Sequence, residues 1–115
     1  MLEKYILAAK RAQKADLVLK NATYVDVFTG KLRKGDIAIV GEKIVGTGEY
    51  EGIEEIDCTA LTVLPSYIDG HVHIESSQLS PEEFASLVVP RGTTTVIADP
   101  HEITNVCGTA GCDYI

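Results

Sequence analysis

Two histidines one residue apart are the residues of this chain best suited to chemistry. His71 and His73 lie in an apolar run directly after Asp69 and Gly70. Successive side chains of a β-strand point to opposite faces, so on a strand both imidazoles would project from one face. Two imidazoles held this close form half of a site for a divalent metal, and such a metal can turn water into a nucleophile near neutral pH.

A second group of polar residues follows a later apolar run. Asp99, Pro100, His101 and Glu102 come directly after the β-branched stretch 93–98. If both runs are parallel strands of one sheet, their carboxyl ends lie at the edge where α/β proteins bind ligands. All three histidines of the chain would then lie together, beside several carboxylates. This coincidence is stronger support for a site than either motif alone.

Each motif also has an interpretation without chemistry. A His-x-His pattern can be two half-buried structural histidines, and Asp99-Pro100 can simply begin a turn. Glu102 can be an ordinary acid in the first turn of a helix. The clustering of the histidines at one predicted strand edge favours the metal interpretation.

The first half of the chain has the texture of a small β-structure. Residues 2–14 have the apolar spacing of a helix. Short strands are then predicted at 16–20, 23–28, 36–40, 44–46, 54–58 and 61–64. Asn21 and Ala22 predict a turn between the first two strands. Strands this short and closely spaced favour a small antiparallel sandwich or barrel.

The second half predicts a strand, a helix and another strand. Residues 67–74 indicate a buried strand, and residues 93–99 a second one. Between them Ser80 is expected as a helix N-cap, with Pro81 in the first position and Glu83 completing a capping box. This order implies a parallel pair with a right-handed crossover, so the fold class is α/β.

The bulk composition narrows the class of partner. A net charge of −7 argues against nucleic acid or an anionic membrane as partner, and no apolar run approaches the length of a membrane span. The three cysteines form no CxxC pair, which favours reduced thiols, and the N-terminus lacks a secretory signal pattern. We expect a cytoplasmic protein.

Residues 64–73 resemble the start of the first barrel strand in the amidohydrolase superfamily of metal-dependent hydrolases. The stretches 74–77, 79–84 and 92–103 are similar to the adenine deaminase group within it. Ser66-Tyr67 and Gln78 depart from the usual residues of the superfamily and the group, but neither departure removes a metal ligand.

The resemblance implies a fold for each half of the chain. Residues 1–64 would form the N-terminal helix and part of a small β-sandwich. Residues 65–115 would form the first two strand–helix units of an incomplete (β/α)8 TIM barrel. Family members are several times longer and take further ligands from later strands, so we expect a fragment that is inactive alone. Such a fragment leaves strand edges unpaired and apolar faces uncovered.

The resemblance also implies roles for individual residues. The expected metal ligands are His71 and His73. The expected catalytic residues are Asp99, His101 and Glu102. The expected residues of the substrate pocket are Glu75, Ser76 and Ser77. The cofactor would be a divalent metal, with Mn²⁺ preferred and Fe²⁺ or Zn²⁺ as alternatives, because first-row ions overlap in ligand preference.

The implied reaction is the hydrolysis of adenine to hypoxanthine and ammonia by a metal-activated hydroxide, as a step of purine salvage. The implied partner is therefore the small molecule adenine, and the full-length family member would be a homo-oligomer. Two alternatives remain open. One is another amidohydrolase, such as a cyclic amidase or an aryl deaminase, and the other is a non-catalytic remnant.

Overall fold

The computed structural model describes residues 2–115, which form two compact units. The first unit ends at Pro65 and the second runs from Ser66 to Ile115. The first unit contains one helix and five strands, and their bounds are α1 Leu2–Ala9, β1 Ala15–Asp26, β2 Lys31–Val40, β3 Lys43–Gly48, β4 Gly52–Asp57 and β5 Thr62–Val63.

The strands of the first unit form one mixed sheet in the order β3-β2-β1-β4, and β5 also pairs with β1. β1 and β3 run antiparallel to β2, in agreement with the expected antiparallel arrangement. β4 and β5 instead run parallel to β1, so the expectation of an antiparallel arrangement is wrong for these two strands. The free edge of β1 receives both of them, and a strand's own residues do not encode which edge is free.

The predicted turn at Asn21 and Ala22 is wrong, because β1 continues through both residues. The register against β2 shifts between Leu19 and Ala22, which marks a β-bulge. Asn21 has a φ of 59°, in the left-handed region that asparagine tolerates. Its backbone N–H donates to Asp36 Oδ1 over 3.0 Å. The local turn signal was therefore real, but the sheet accommodates it as a bulge.

Helix α1 ends at Ala9, five residues before the predicted end. Arg11 has a φ of 61°, and the Ala12 N–H donates to the Leu7 carbonyl over 2.9 Å. This pairing closes a helix C-terminus through a left-handed residue. The helix packs on a small buried core whose members are Ala8, Ala15, Val18, Ala38 and Val40.

The second unit has two strands and three helices, with short 3₁₀ turns at Glu75–Ser77 and Val89–Arg91. The bounds are β6 Tyr67–Val72, α2 Pro81–Val88, β7 Thr93–Ala98, α3 His101–Cys107 and α4 Thr109–Tyr114. β6 and β7 pair in parallel, with α2 between them in the chain. The predicted parallel strand–helix–strand order is confirmed.

The predicted start of α2 is also confirmed. Ser80 Oγ accepts a hydrogen bond from the Glu83 N–H over 3.2 Å, and Glu83 Oε2 accepts from the Ser80 N–H over 3.4 Å. Pro81 occupies the first helical position, where its missing N–H costs nothing. Reciprocal bonds of this kind satisfy two backbone donors that a helix start leaves free.

The two strands of this unit are more exposed than their apolar sequences predict. Ile68 on β6 is 67% exposed and Ile97 on β7 is 58% exposed. The expectation of a buried strand at 67–74 is therefore wrong for β6. Within residues 2–115 the pair β6–β7 forms a sheet by itself, so each strand keeps a free edge. The expectation of uncovered apolar faces is confirmed.

Candidate metal centre

The candidate site lies where β6 and β7 end. Val72, at the end of β6, pairs in register with Ala98 of β7, and its carbonyl accepts from the Asp99 N–H over 2.9 Å. This backbone bond places His71 and His73 of one strand end beside Asp99 of the other. Parallel pairing therefore brings the two sequence motifs to one edge.

Three side chains at this edge could hold a divalent metal. One donor atom each from His71, His73 and Asp99 lies within 4.8 Å of the other two. Asp99 Oδ2 is 3.7 Å from His71 Nε2 and 3.9 Å from His73 Nδ1. The two imidazole centroids are 4.8 Å apart. Neutral imidazoles and a carboxylate are common ligands of first-row divalent metals, so the donor set fits such an ion.

A hydrogen bond from the backbone fixes the tautomer of His73. Its Nδ1 lies 2.9 Å from the carbonyl oxygen of Asp99. A carbonyl oxygen only accepts, so in the neutral ring Nδ1 carries the proton and donates it. The lone pair of His73 Nε2 is then left for a metal, as in metal sites where the second ring nitrogen binds a backbone carbonyl.

The third histidine contacts the same carboxylate. His101 Nδ1 lies 3.3 Å from Asp99 Oδ2, and its ring centroid is 4.8 Å from that of His73. Partial burial raises the pKa of Asp99, but the hydrogen bond from His101 and the charges of all three imidazoles outweigh this and hold the pKa below 3.8. Asp99 is therefore an ionised carboxylate near neutral pH.

The remaining predicted residues surround this edge through hydrogen bonds. Ser76 Oγ donates to Glu102 Oε1 over 3.1 Å. Glu75 Oε1 accepts from the backbone N–H of Ile103 over 3.3 Å. Ser77 Oγ donates to the backbone carbonyl of Ile74, three residues earlier, over 2.6 Å. Glu102 also occupies the first turn of α3.

The structure places the predicted site residues near one another and adds two relationships that the sequence analysis did not contain. It placed Asp99 only among the catalytic residues, whereas the geometry groups its carboxylate with His71 and His73. The signal was present, since Asp99 follows the second strand at the same edge. The contact of Glu75 with Ile103 had no sequence signal, because its donor is a main-chain amide.

The three side chains of the candidate site are accessible to solvent. The side chains of His71, Asp99 and His73 are 67%, 47% and 30% exposed, so water can reach the donor atoms. A cavity of about 1130 Å³ lies in the first unit beside Lys20 and Asp36, and none of the histidines lines it.

No helix within residues 2–115 is long and apolar enough to cross a membrane.

Comparison with known proteins shows a similarity to one family of enzymes. Residues 62–115 match the model of the amidohydrolase family. This match agrees with the resemblance that the motifs around His71 and His73 indicated.

The most informative relatives are adenine deaminases. The chain is 52% identical over 114 residues to adenine deaminase 2 of Desulfotalea psychrophila and to an adenine deaminase of Clostridium acetobutylicum. It is 53% identical over 114 residues to the adenine deaminase of Geobacillus kaustophilus. In each case 99% of this chain is covered but 20% of the relative. The chain thus spans about a fifth of the length of the curated relatives it matches.

Two solved structures share the fold at low sequence identity. An N-acyl-D-glutamate deacylase from Bordetella bronchiseptica, solved with zinc and a phosphonate inhibitor, superimposes with a TM-score of 0.61 at 21% identity. The superposition covers 75% of this chain and 19% of the deacylase chain. A prolidase complexed with N-methylphosphonate-L-proline superimposes with a TM-score of 0.56 at 23% identity. This superposition covers 81% of this chain and 28% of the prolidase chain.

Proposed function

We propose that this chain is part of an adenine deaminase, which hydrolyses adenine to hypoxanthine and ammonia. The observation that carries the proposal is the group of His71, His73 and Asp99 at the ends of two adjacent parallel strands. Identity of 52% over nearly the whole chain to adenine deaminases supports the choice of substrate. The chain covers 20% of those relatives, so further ligands would come from the rest of such a protein.

The proposed architecture follows the same reasoning. β6, α2 and β7 would open an incomplete (β/α)8 barrel, and α3 would be the helix after its second strand. The sheet of the first unit would be part of a small β-sandwich. The parallel pairing of β6 and β7 and the exposure of Ile68 support an unfinished barrel, because a completed barrel covers such strands on both faces.

The proposed metal ligands are His73 through Nε2, His71 through its imidazole and Asp99 through its carboxylate. A divalent ion held there would supply Lewis acidity that lowers the pKa of water and so provides a nucleophile near neutral pH. Mn²⁺ is the preferred ion, with Fe²⁺ or Zn²⁺ as alternatives. The ionised state of Asp99 supports this role, since it is ready to bind a cation without first losing a proton.

The proposed acid and base are His101 and Glu102, beside Asp99. In the overall reaction the water oxygen bonds to the ring carbon that bears the amino group, and the carbon–nitrogen bond breaks. One proton of the water ends on the ring and the other on the departing ammonia. His101 can hold a proton on Nδ1 against Asp99 Oδ2, 3.3 Å away, and exchange another at Nε2.

Glu75, Ser76 and Ser77 would border the substrate pocket at this edge. The bond from Ser76 Oγ to Glu102 supports this, because it joins the loop after β6 to the start of α3. We further propose a homo-oligomeric, cytoplasmic enzyme of purine salvage, on the resemblance to the adenine deaminase group.

The experiment that tests the function is a chimera. This chain replaces the aligned segment of the Clostridium acetobutylicum adenine deaminase, and ammonia release from adenine is measured with Mn²⁺. We expect turnover by the chimera, and none by the isolated chain. His71→Asn and His73→Asn chimeras serve as matched negative controls.

The rival functions give different results in the same assay. A folded chimera that opens dihydroorotate or hydantoin but releases no ammonia from adenine would indicate a cyclic amidase. A folded chimera without activity on any of the three would indicate a non-catalytic remnant. Circular dichroism and gel filtration establish folding in each case.

A further inference from the structure

We propose that Glu75 is a positioning residue that sets His101 against Asp99 by holding the first turn of α3. The inference deepens the proposed function, because it assigns the way in which one pocket-bordering residue acts. Glu75 would not touch the substrate. It would act through the backbone of the helix that carries His101 and Glu102.

The contacts that carry the proposal run between the 3₁₀ turn after β6 and the first turn of α3. Glu75 Oε1 accepts from the Ile103 N–H over 3.3 Å, and the adjacent Ser76 Oγ donates to Glu102 Oε1 over 3.1 Å. Consecutive residues of the loop after β6 thus hold the two consecutive residues that follow His101. The position of His101 depends on this pair of bonds.

The start of α3 lacks a cap of its own. Pro100 precedes the helix and offers no side-chain hydrogen bond to it. The first backbone amides of a helix have no partner within the helix and need one from elsewhere. Glu75 supplies an acceptor to one of them, the amide of Ile103, from a residue 28 positions away. It therefore replaces the missing N-cap, and its negative charge suits that end of the helix.

The surroundings of Glu75 argue against contact with a substrate. Its Oε1 is engaged by Ile103, and its Oε2 is buried without a hydrogen-bond partner among the residues that the structure describes. A buried carboxylate oxygen without a partner costs free energy, so this arrangement is held by the Oε1 bond and by packing. Oε1 could therefore turn toward a substrate only after its bond to Ile103 is broken.

A movement of the first turn of α3 would affect the proposed metal ligands through His101. The distance from His101 Nδ1 to Asp99 Oδ2, 3.3 Å, is the shortest of the three imidazole contacts with that carboxylate. If the first turn of α3 moves, Asp99 loses this partner and can rotate relative to His71 and His73. Glu75 thereby orients a proposed ligand without contacting it, as the outer partners of metal ligands commonly do.

The test compares three variants of the chimera. Glu75→Ala removes the acceptor, and Glu75→Gln keeps an oxygen that can accept from Ile103. Glu82→Ala removes an exposed glutamate of α2 and is the matched control. The readouts are kcat and KM on adenine, the visible absorption of bound Co²⁺, and hydrogen–deuterium exchange of residues 101–107 without metal.

We expect Glu75→Ala to lower kcat by about 10- to 100-fold with little change in KM, as for outer partners of metal sites. Exchange in α3 should become faster and the Co²⁺ spectrum should change. Glu75→Gln should restore most of each property, and Glu82→Ala should match the parent.

Three results would overturn the proposal. One is a raised KM at constant kcat in Glu75→Ala, which would mean direct substrate contact. Another is unchanged exchange and an unchanged Co²⁺ spectrum in that variant, and the third is a Glu75→Gln variant as impaired as Glu75→Ala. If the parent chimera does not act on adenine, the proposed function fails, while exchange and the Co²⁺ spectrum still test Glu75.

Discussion

His73 Nδ1 lies 2.9 Å from the carbonyl oxygen of Asp99, so the backbone at the end of β7 fixes the tautomer of a histidine at the end of β6. The same residue, Asp99, presents its carboxylate to the ring of His73 and to both other histidines. One aspartate thus contacts one imidazole through its main chain and all three imidazoles through its side chain.

Loss of His73 should therefore weaken metal binding more than loss of His101. His73→Asn removes a proposed ligand, and we expect the affinity for Zn²⁺ or Mn²⁺ to fall more than about 100-fold. His101→Asn removes only a partner of Asp99, for which a loss of about 10- to 100-fold is usual. Calorimetric titration of both variants measures the difference. Equal losses would contradict the assignment of His101 outside the ligand group.

The pair Lys20–Asp36 should make the stability of the first unit depend on pH. Burial raises the pKa of Asp36, but the bond from Lys20 and the amides of Tyr50 and Asn21 outweigh this and lower it below 3.8. The bond to Asp36 raises the pKa of Lys20 above 10.5, against the opposing effect of burial. Asp36 therefore stabilises the fold above pH 3.8, and this contribution is lost as pH falls through its lower folded-state pKa.

At high pH the ionisation of Lys20 makes the free energy of unfolding fall as pH rises, the opposite of the dependence that Asp36 gives at low pH. Its contribution is complete below pH 10.5 and is lost as pH rises through its higher folded-state pKa. Urea unfolding at a series of pH values should show a plateau bounded by two declines. If the Asp36→Asn variant lost stability at low pH to the same extent as the parent chain, this account would be contradicted.

Breaking the same pair should cost much of the stability of the unit. Asp36 is 8% exposed and accepts from Lys20 Nζ over 2.6 Å. Asp36→Ala leaves the partly buried ammonium of Lys20 with the Tyr50 carbonyl as acceptor but without a carboxylate partner. We expect a loss of about 3 kcal/mol, the lower end of the range for broken buried pairs. Asp113→Ala, at an exposed position, is the control and should change the free energy of unfolding little. Denaturant titration measures both.

The capping box of α2 should be visible in stability. Ser80→Ala removes the acceptor of the Glu83 N–H and should lower the free energy of unfolding by about 1 kcal/mol. Ser86 lies inside the same helix and donates only to the Glu83 carbonyl, so Ser86→Ala should be near neutral. Helical content by circular dichroism checks the pair of variants, and equal losses would argue against the cap.

The exposed face of β6 and β7 should respond differently in the isolated chain and in the chimera. Ile68 is 67% exposed here, so Ile68→Thr should cost the isolated chain less than about 0.5 kcal/mol, as at other surface positions. In the chimera, where the proposed barrel would be complete, the same change should lower the melting temperature clearly. An equal, small effect in both proteins would argue against burial of this face in a longer protein.

Local features of the second unit were predictable because they depend on residues a few positions apart. Ser80 and Glu83 form the expected cap, and Gly92 with a φ of 97° ends the turn before β7. His71 and His73 lie at the same strand end because they are two positions apart in the chain, His71 in β6 and His73 directly after it. Two of the wrong expectations, the turn at Asn21 and the antiparallel pairing of β4, concern which strand a segment pairs with.

By itself the sequence indicated the resemblance to the amidohydrolase family, the edge that carries His71 and His73, and the strand–helix–strand order that places Asp99 beside them. Only the tertiary structure determined that a carboxylate oxygen of Asp99 lies near both imidazoles, that His73 Nδ1 contacts the Asp99 carbonyl, and that Glu75 accepts from the Ile103 N–H. The physical reason is that these contacts join residues about 26 to 28 positions apart, two of them through backbone atoms. Every residue has the backbone carbonyl and every residue except proline has the N–H, so the pattern of side chains does not show which partner these atoms meet.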